Sequence, residues 1–182
     1  MKKTIITVCA ALMTVAVTTA SAGEKAKASP DAKIEAKASS KEFEQMKTLV
    51  GKWKGKVDMG QGPVEMESQY RMIAGGTVLE ERMFPGTPHE MVTMYYDQNG
   101  KLAMTHYCVL GNRPGMKLKS SDAKSIQFDF DATCGIDAKN ESHMHAMTLT
   151  FEDADTIKVS CKGIMEGKEE PDHVTTLKRV KS

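Results

Sequence analysis

From Lys52 the chain alternates in character: Trp53, Gly55 and Val57 fall on one side, and Lys52, Lys54 and Lys56 on the other. A period of two is that of a strand with one solvated face. Just upstream the period is different, because Phe43, Met46, Leu49 and Val50 recur at the three-and-four spacing of one helix face. Ser40 is placed to cap that helix, and Gly51 to stop it. Downstream, short strand-like runs follow at approximately 52–58, 63–73, 77–84, 89–97, 101–110, 115–119, 125–131, 143–152, 156–164 and 173–180. They are separated by turn signals such as Gly75-Gly76, Pro85-Gly86-Thr87-Pro88, Asn99-Gly100, Gly111-Asn112-Arg113-Pro114 and Gly167. No long helical pattern lies between the strands, which argues against parallel βαβ units. The pattern predicts an all-β fold, an up-and-down antiparallel barrel of about 8–10 strands behind a short N-terminal helix, since closure removes exposed strand edges. A β-sandwich is the structural alternative.

The stretch Leu49-Val50-Gly51-Lys52-Trp53-Lys54-Gly55 resembles the L-x-G-x-W-x-G motif at the helix-to-strand junction of lipocalin-like, or calycin, barrels. Three longer stretches resemble a group of uncharacterised secreted bacterial proteins of the same architecture. They are Phe84 to Thr93, Thr105-His106-Tyr107-Cys108 with Gly111-Asn112-Arg113-Pro114, and His143-Met144-His145. The likeness covers roughly residues 42–180. It implies a calycin barrel holding a hydrophobic small molecule, or haem as in one branch, and it implies no particular activity.

The first 22 residues have the form of a secretory signal peptide: Lys2 and Lys3, an uncharged run from Thr4 to Ala20, then Ala20-Ser21-Ala22. This predicts export to the periplasm or the medium, with no stable membrane insertion once the leader is cleaved. Residues 23–40 are dominated by Ala, Lys, Ser and Glu and read as a flexible linker, which leaves residues 41–182 as the barrel domain. Without Lys2 and Lys3 the chain carries 23 basic and 24 acidic residues, a net charge of −1, and that balance points away from nucleic acid. Three cysteines follow the leader, Cys108, Cys134 and Cys161. In an oxidising compartment Cys134 with Cys161 is the favoured disulfide, and three buried free thiols are the alternative.

Candidate chemistry rests on the histidines. His143 and His145 sit at i and i+2 of one strand with Met147, Leu149 and Phe151 continuing the face. Their Cα atoms are then about 7 Å apart, close enough for two imidazoles to share a metal ion. If Asn99-Gly100 forms a two-residue turn, Tyr95 opposes Met104, Thr93 opposes His106 and Met91 opposes Cys108. The face carrying Tyr95, His106 and Cys108 suits a ligand cavity better than a filled core. His89 then falls opposite Leu110, displaced from His106.

The candidate ligand contacts are therefore Tyr95, His106, Cys108, His143 and His145. His106, His143 and His145 together are a candidate site for zinc, copper or the iron of a haem. Nucleophilic catalysis by Cys108 with His106 lacks an orienting carboxylate, so no catalytic residue is assigned. Three functions remain open: an exported small-molecule carrier, a metal-binding protein or metal-dependent enzyme using the three histidines, and a non-catalytic envelope interaction domain. Ligand identity and oligomeric state are not encoded legibly.

Overall fold

The computed structural model describes residues 38–58, 60 and 62–181. The predicted signal peptide and the predicted linker as far as residue 37 lie outside the described residues. Among the described residues, no helix is long and apolar enough to cross a membrane.

Helix α1 (Lys41–Lys47) is capped by Ser40, whose hydroxyl accepts from the Phe43 N–H at 3.1 Å. Ser40 also donates, from its N–H and its hydroxyl, to the Asp97 carboxylate at 2.6 Å each. The last residue of the predicted linker is thus tied to the domain. The helix is shorter than its hydrophobic pattern implied. It ends at a Thr48 C-cap, so Leu49 is buried after the helix and Val50 is 43% exposed.

Eleven strands follow: β1 (Gly51–Asp58), β2 (Pro63–Ile73), β3 (Val78–Met83), β4 (Met91–Gln98), β5 (Lys101–Tyr107), β6 (Gly115–Ser121), β7 (Ser125–Phe130), β8 (His143–Phe151), β9 (Thr156–Met165), β10 (Lys168–Glu169) and β11 (His173–Arg179). All pairings are antiparallel. Strands β1 to β9 follow one another around the wall, β11 inserts between β9 and β1, and the β8–β9 pairing completes the circuit. The result is a closed ten-stranded barrel, with the two-residue β10 as a hairpin extension of β9.

Local chemistry explains the register. Asn99 and Gly100 both take positive φ, 54° and 77°, as a tight two-residue hairpin turn demands. That turn pairs Gln98 with Lys101, Tyr95 with Met104 and Thr93 with His106. The ladder stops at Val92 with Tyr107, so the predicted pairings of Met91 with Cys108 and of His89 with Leu110 do not form. His89 lies instead in the turn before β4.

The residues of the stretch from Leu49 to Gly55 have distinct physical jobs. Gly51 adopts φ +130°, with the Arg179 guanidinium close behind it. Trp53 is 1% exposed and donates from its indole N–H to the Leu49 carbonyl at 2.7 Å. Arg179 stacks over the Trp53 ring at 4.2 Å and donates to the Val50 and Thr48 carbonyls at 2.8 and 2.7 Å. At Gly55 any Cβ would collide with the Thr176 carbonyl of the neighbouring β11.

The barrel has two unequal ends. At one, Phe43, Met46 and Leu49 plug the opening over Trp53, Leu102, Phe128, Leu149 and Leu177, all 1% exposed or less. This is the end of the β4–β5 hairpin and of the first residues of β1. The other end, where β5 finishes and β8 begins, is not filled.

Candidate functional site

At the unplugged end the inward side chains enclose a cavity of about 320 Å³. Its wall is mostly apolar, and sulfur dominates it: Met66, Met83, Met91, Met144, Met147 and Met165 all line it, together with Cys108 and Cys161. Methionine is unbranched and polarisable, so such a wall adapts to guests of varied shape. Val109, Leu110 and Met165 form a rim in which each is at least 39% exposed.

Polar groups in the cavity are few and mostly anchored. His106 is 5% exposed, and its Nδ1 lies 2.9 Å from the Thr93 hydroxyl, which leaves the rest of the ring on the cavity side. Burial lowers its pKa to about 4, so the imidazole is neutral near pH 7. His173 also lines the cavity, and its Nδ1 is 3.1 Å from the Asp58 carbonyl.

Beside them sits Glu81, buried at 5% exposure. Its Oε1 accepts from the Ser68 hydroxyl at 2.9 Å and from Tyr70 at 2.7 Å, and its Oε2 accepts from Tyr95 at 2.7 Å. Burial pushes the Glu81 carboxyl above its usual range, opposed by these three donors. Burial and the neighbouring Glu81 push both tyrosine hydroxyls well above theirs. The carboxylate and its three hydroxyls thus form a saturated polar floor between the filled half of the barrel and the empty half.

The predicted contacts divide. His106, Cys108 and His143 line the cavity. Tyr95 does not, because its ring is packed against Phe128 and its hydroxyl is committed to Glu81. His145 is also outside the lining set. The β8–β9 register shifts between Met144 and Ala146, and this bulge breaks the alternation that would have kept His143, His145 and Met147 on one face. Met144 and Met147 face the cavity on either side of the bulge.

His145 pairs instead with His143: Nε2 of His143 is 3.2 Å from Nδ1 of His145, and Phe130 packs against both rings at 4.4 and 5.7 Å. The trio of His106, His143 and His145 is not assembled into one centre. Among the described residues no group of three or more His, Cys, Asp or Glu side chains is placed to hold a metal ion.

The Cys134–Cys161 bridge is not formed, and Cys108, Cys134 and Cys161 are free thiols. Cys161 faces inward opposite Met147, whereas Cys134 lies against Gly115. Gly115 pairs with Thr105, on the outer face of β5 next to inward His106. The two sulfurs are on opposite faces of the wall and three strands apart, roughly 14 Å along the sheet, beyond the reach of a disulfide. Burial, with the charges of Glu81 and Asp172, pushes the Cys161 thiol up to about 12, so it stays protonated and unreactive. The segment Ala132–Ser142 supplies none of the lining side chains. It is tied down through Asn112, whose Nδ2 donates to the Ser142 carbonyl at 2.8 Å.

Sequence reasoning missed Glu81, His173 and the methionine wall. Glu81 did leave a signal, since it interrupts an otherwise apolar alternation between Leu79 and Met83. The methionines left only their number, 14 in the chain, which says nothing about where they meet.

Fold and site together define a closed all-β barrel with a sulfur-rich cavity at one end. No family model and no curated protein matches the chain. Among solved structures, the crystal structure of Rv2717c from M. tuberculosis is similar at a TM-score of 0.49 and 12% identity, covering 79% of this chain and 100% of that one.

Proposed function

We propose that the protein is an exported carrier that holds one small, uncharged, largely hydrophobic molecule in the open half of its barrel. The observation that carries this reading is the contrast between the two halves. One is packed to a dry core, and the other keeps about 320 Å³ of apolar-walled space, within the range of small-ligand sites. The sparse polar contacts favour a neutral guest. His106 is uncharged, Glu81 is an acid already accepting from three hydroxyls, and the lining cation Lys162 is paired with Glu169 and Asp172, so no free counter-charge faces an anion.

Haem is the second reading: its macrocycle exceeds a space of about 320 Å³, so it would project from the open mouth with its carboxylates in solvent. His106 would present its neutral imidazole to the iron, with Thr93 holding its other nitrogen. Haem would supply an iron centre for binding small gases or passing electrons. A filled barrel acting only through its outer surface is disfavoured by the cavity itself.

The test is native mass spectrometry of the untagged protein together with titration of a neutral fluorescent probe, N-phenyl-1-naphthylamine. Met147→Trp fills the cavity and should weaken probe binding by roughly tenfold or more while the protein stays folded. An intense visible absorption band in the purified protein would select the haem form. Probe binding that is absent, or indifferent to Met147→Trp, would remove the carrier reading.

A further inference from the structure

We infer that His143 and His145 form a two-nitrogen chelate for a late first-row divalent cation, copper(II) in preference to zinc(II). His143 borders the carrier cavity and His145 lies outside its lining, and the chelate does not require the cavity to hold a guest.

The geometry begins with protons. The Glu141 carbonyl only accepts, so His143 Nδ1, 2.7 Å away, carries the ring hydrogen and Nε2 is left as a lone pair. A ring N–H held by a backbone carbonyl is the partner that a metal-bound imidazole ordinarily has, because it fixes the tautomer and the plane of the ring. The second nitrogen, His145 Nδ1, stands 3.2 Å from that lone pair. Two nitrogens bound to one ion at about 2.0–2.1 Å lie roughly 3.3–3.4 Å apart at a tetrahedral angle and about 2.9 Å apart at a right angle. The observed spacing falls between the two, so an ion is accepted with shifts of a few tenths of an ångström.

Without metal, His145 donates its Nδ1 proton to His143 Nε2. With metal, that proton moves to Nε2 of His145, and both facing nitrogens offer lone pairs to the ion. The change is a tautomer shift within His145, so no net proton is released by it.

The rings are also held in place. Phe130 stacks on His145 at 24° and packs on His143 at 4.4 Å, and the β-bulge turns the two imidazoles towards each other rather than side by side. With no third side chain placed to join them among the described residues, water completes the coordination. Two imidazoles with oxygen donors suit copper(II) best in the series of divalent first-row metals.

The experiment is titration of the untagged, chelator-stripped full chain with copper(II) and, separately, zinc(II) salts against a chromophoric competitor, with electron paramagnetic resonance of the copper form. One equivalent should bind, copper more tightly than zinc, with hyperfine structure from two nitrogens. His145→Ala, at a half-buried position, should weaken binding on the order of 100-fold, the scale on which a second linked contact adds to the first. His143→Gln should do the same, and melting curves check that each variant is folded. His106→Gln should leave the affinity unchanged. Failure to bind one equivalent, wild-type affinity in His145→Ala, or an equal loss in His106→Gln would each overturn the assignment, the last by placing the ion in the cavity.

Discussion

Acidification to pH 4 should destabilise this barrel through a single imidazole, His106. In the unfolded chain a histidine takes up its proton near pH 6.5, whereas in the fold burial delays protonation to about pH 4. Between those values the unfolded state binds more protons than the native state, so stability rises with pH across the window and falls as pH drops through it. The difference of about 2.5 pH units, at about 1.36 kcal/mol each, sets a ceiling of about 3–4 kcal/mol, of which about 3 kcal/mol is lost by pH 4. Little is lost to solvent screening, because the ring is only 5% exposed. That amount is a large fraction of a typical domain's total stability.

The assay is denaturant unfolding at pH 7 and pH 4 of the wild type and of His106→Gln, which keeps a partner for Thr93 but cannot titrate. Glu81 and the other carboxylates titrate in both proteins and cancel in the comparison. The wild type should lose about 3 kcal/mol more than the variant between the two pH values. Equal losses would refute the reasoning, because they would mean that His106 meets water or a charge partner in the native state.

Glu81→Leu should cost about 3 kcal/mol or more by orphaning the hydroxyls of Ser68, Tyr70 and Tyr95, whereas Glu81→Gln should be much milder; denaturant midpoints would compare them. The native Glu81 pKa is raised, so the wild type loses part of its stability as pH climbs out of the ordinary carboxylate range, and the deficit of Glu81→Gln should shrink from pH 4 to pH 7. Arg179→Ala should cost about 2–3 kcal/mol, since it removes the stacking on Trp53 and two carbonyl contacts. Arg179→Lys should recover less than half of that loss in thermal melts, because an ammonium cannot reproduce the planar fork. Gly55→Ala should destabilise by about 2 kcal/mol or more, measured in the same way, because its methyl meets backbone and not a movable side chain.

Much of this protein was readable before any coordinates. Alternation of period two from Trp53 onward, the Ser40 cap, and the Asn99-Gly100 turn are local rules, in which each residue constrains only its near neighbours. They placed nearly every strand boundary within a residue or two, set the β4–β5 register, and put His106 indoors. The departures have equally definite causes. Helix α1 stops at Lys47 because Leu49 is needed as the cap of Trp53, and β5 stops at Tyr107 because the chain must turn towards Pro114. The bulge at His145 carries no local signature, since an extra residue in one strand is defined only against its partner.

What the tertiary structure alone decided is which side chains meet. Closing β8 onto β9 put Cys161 inside and left Cys134 outside, gathered six methionines from five strands around one space, and set Glu81 beneath three hydroxyls. Strand periodicity states which face a side chain occupies. It cannot state who stands across a barrel, because that depends on strand order, tilt and closure, which are properties of the whole sheet.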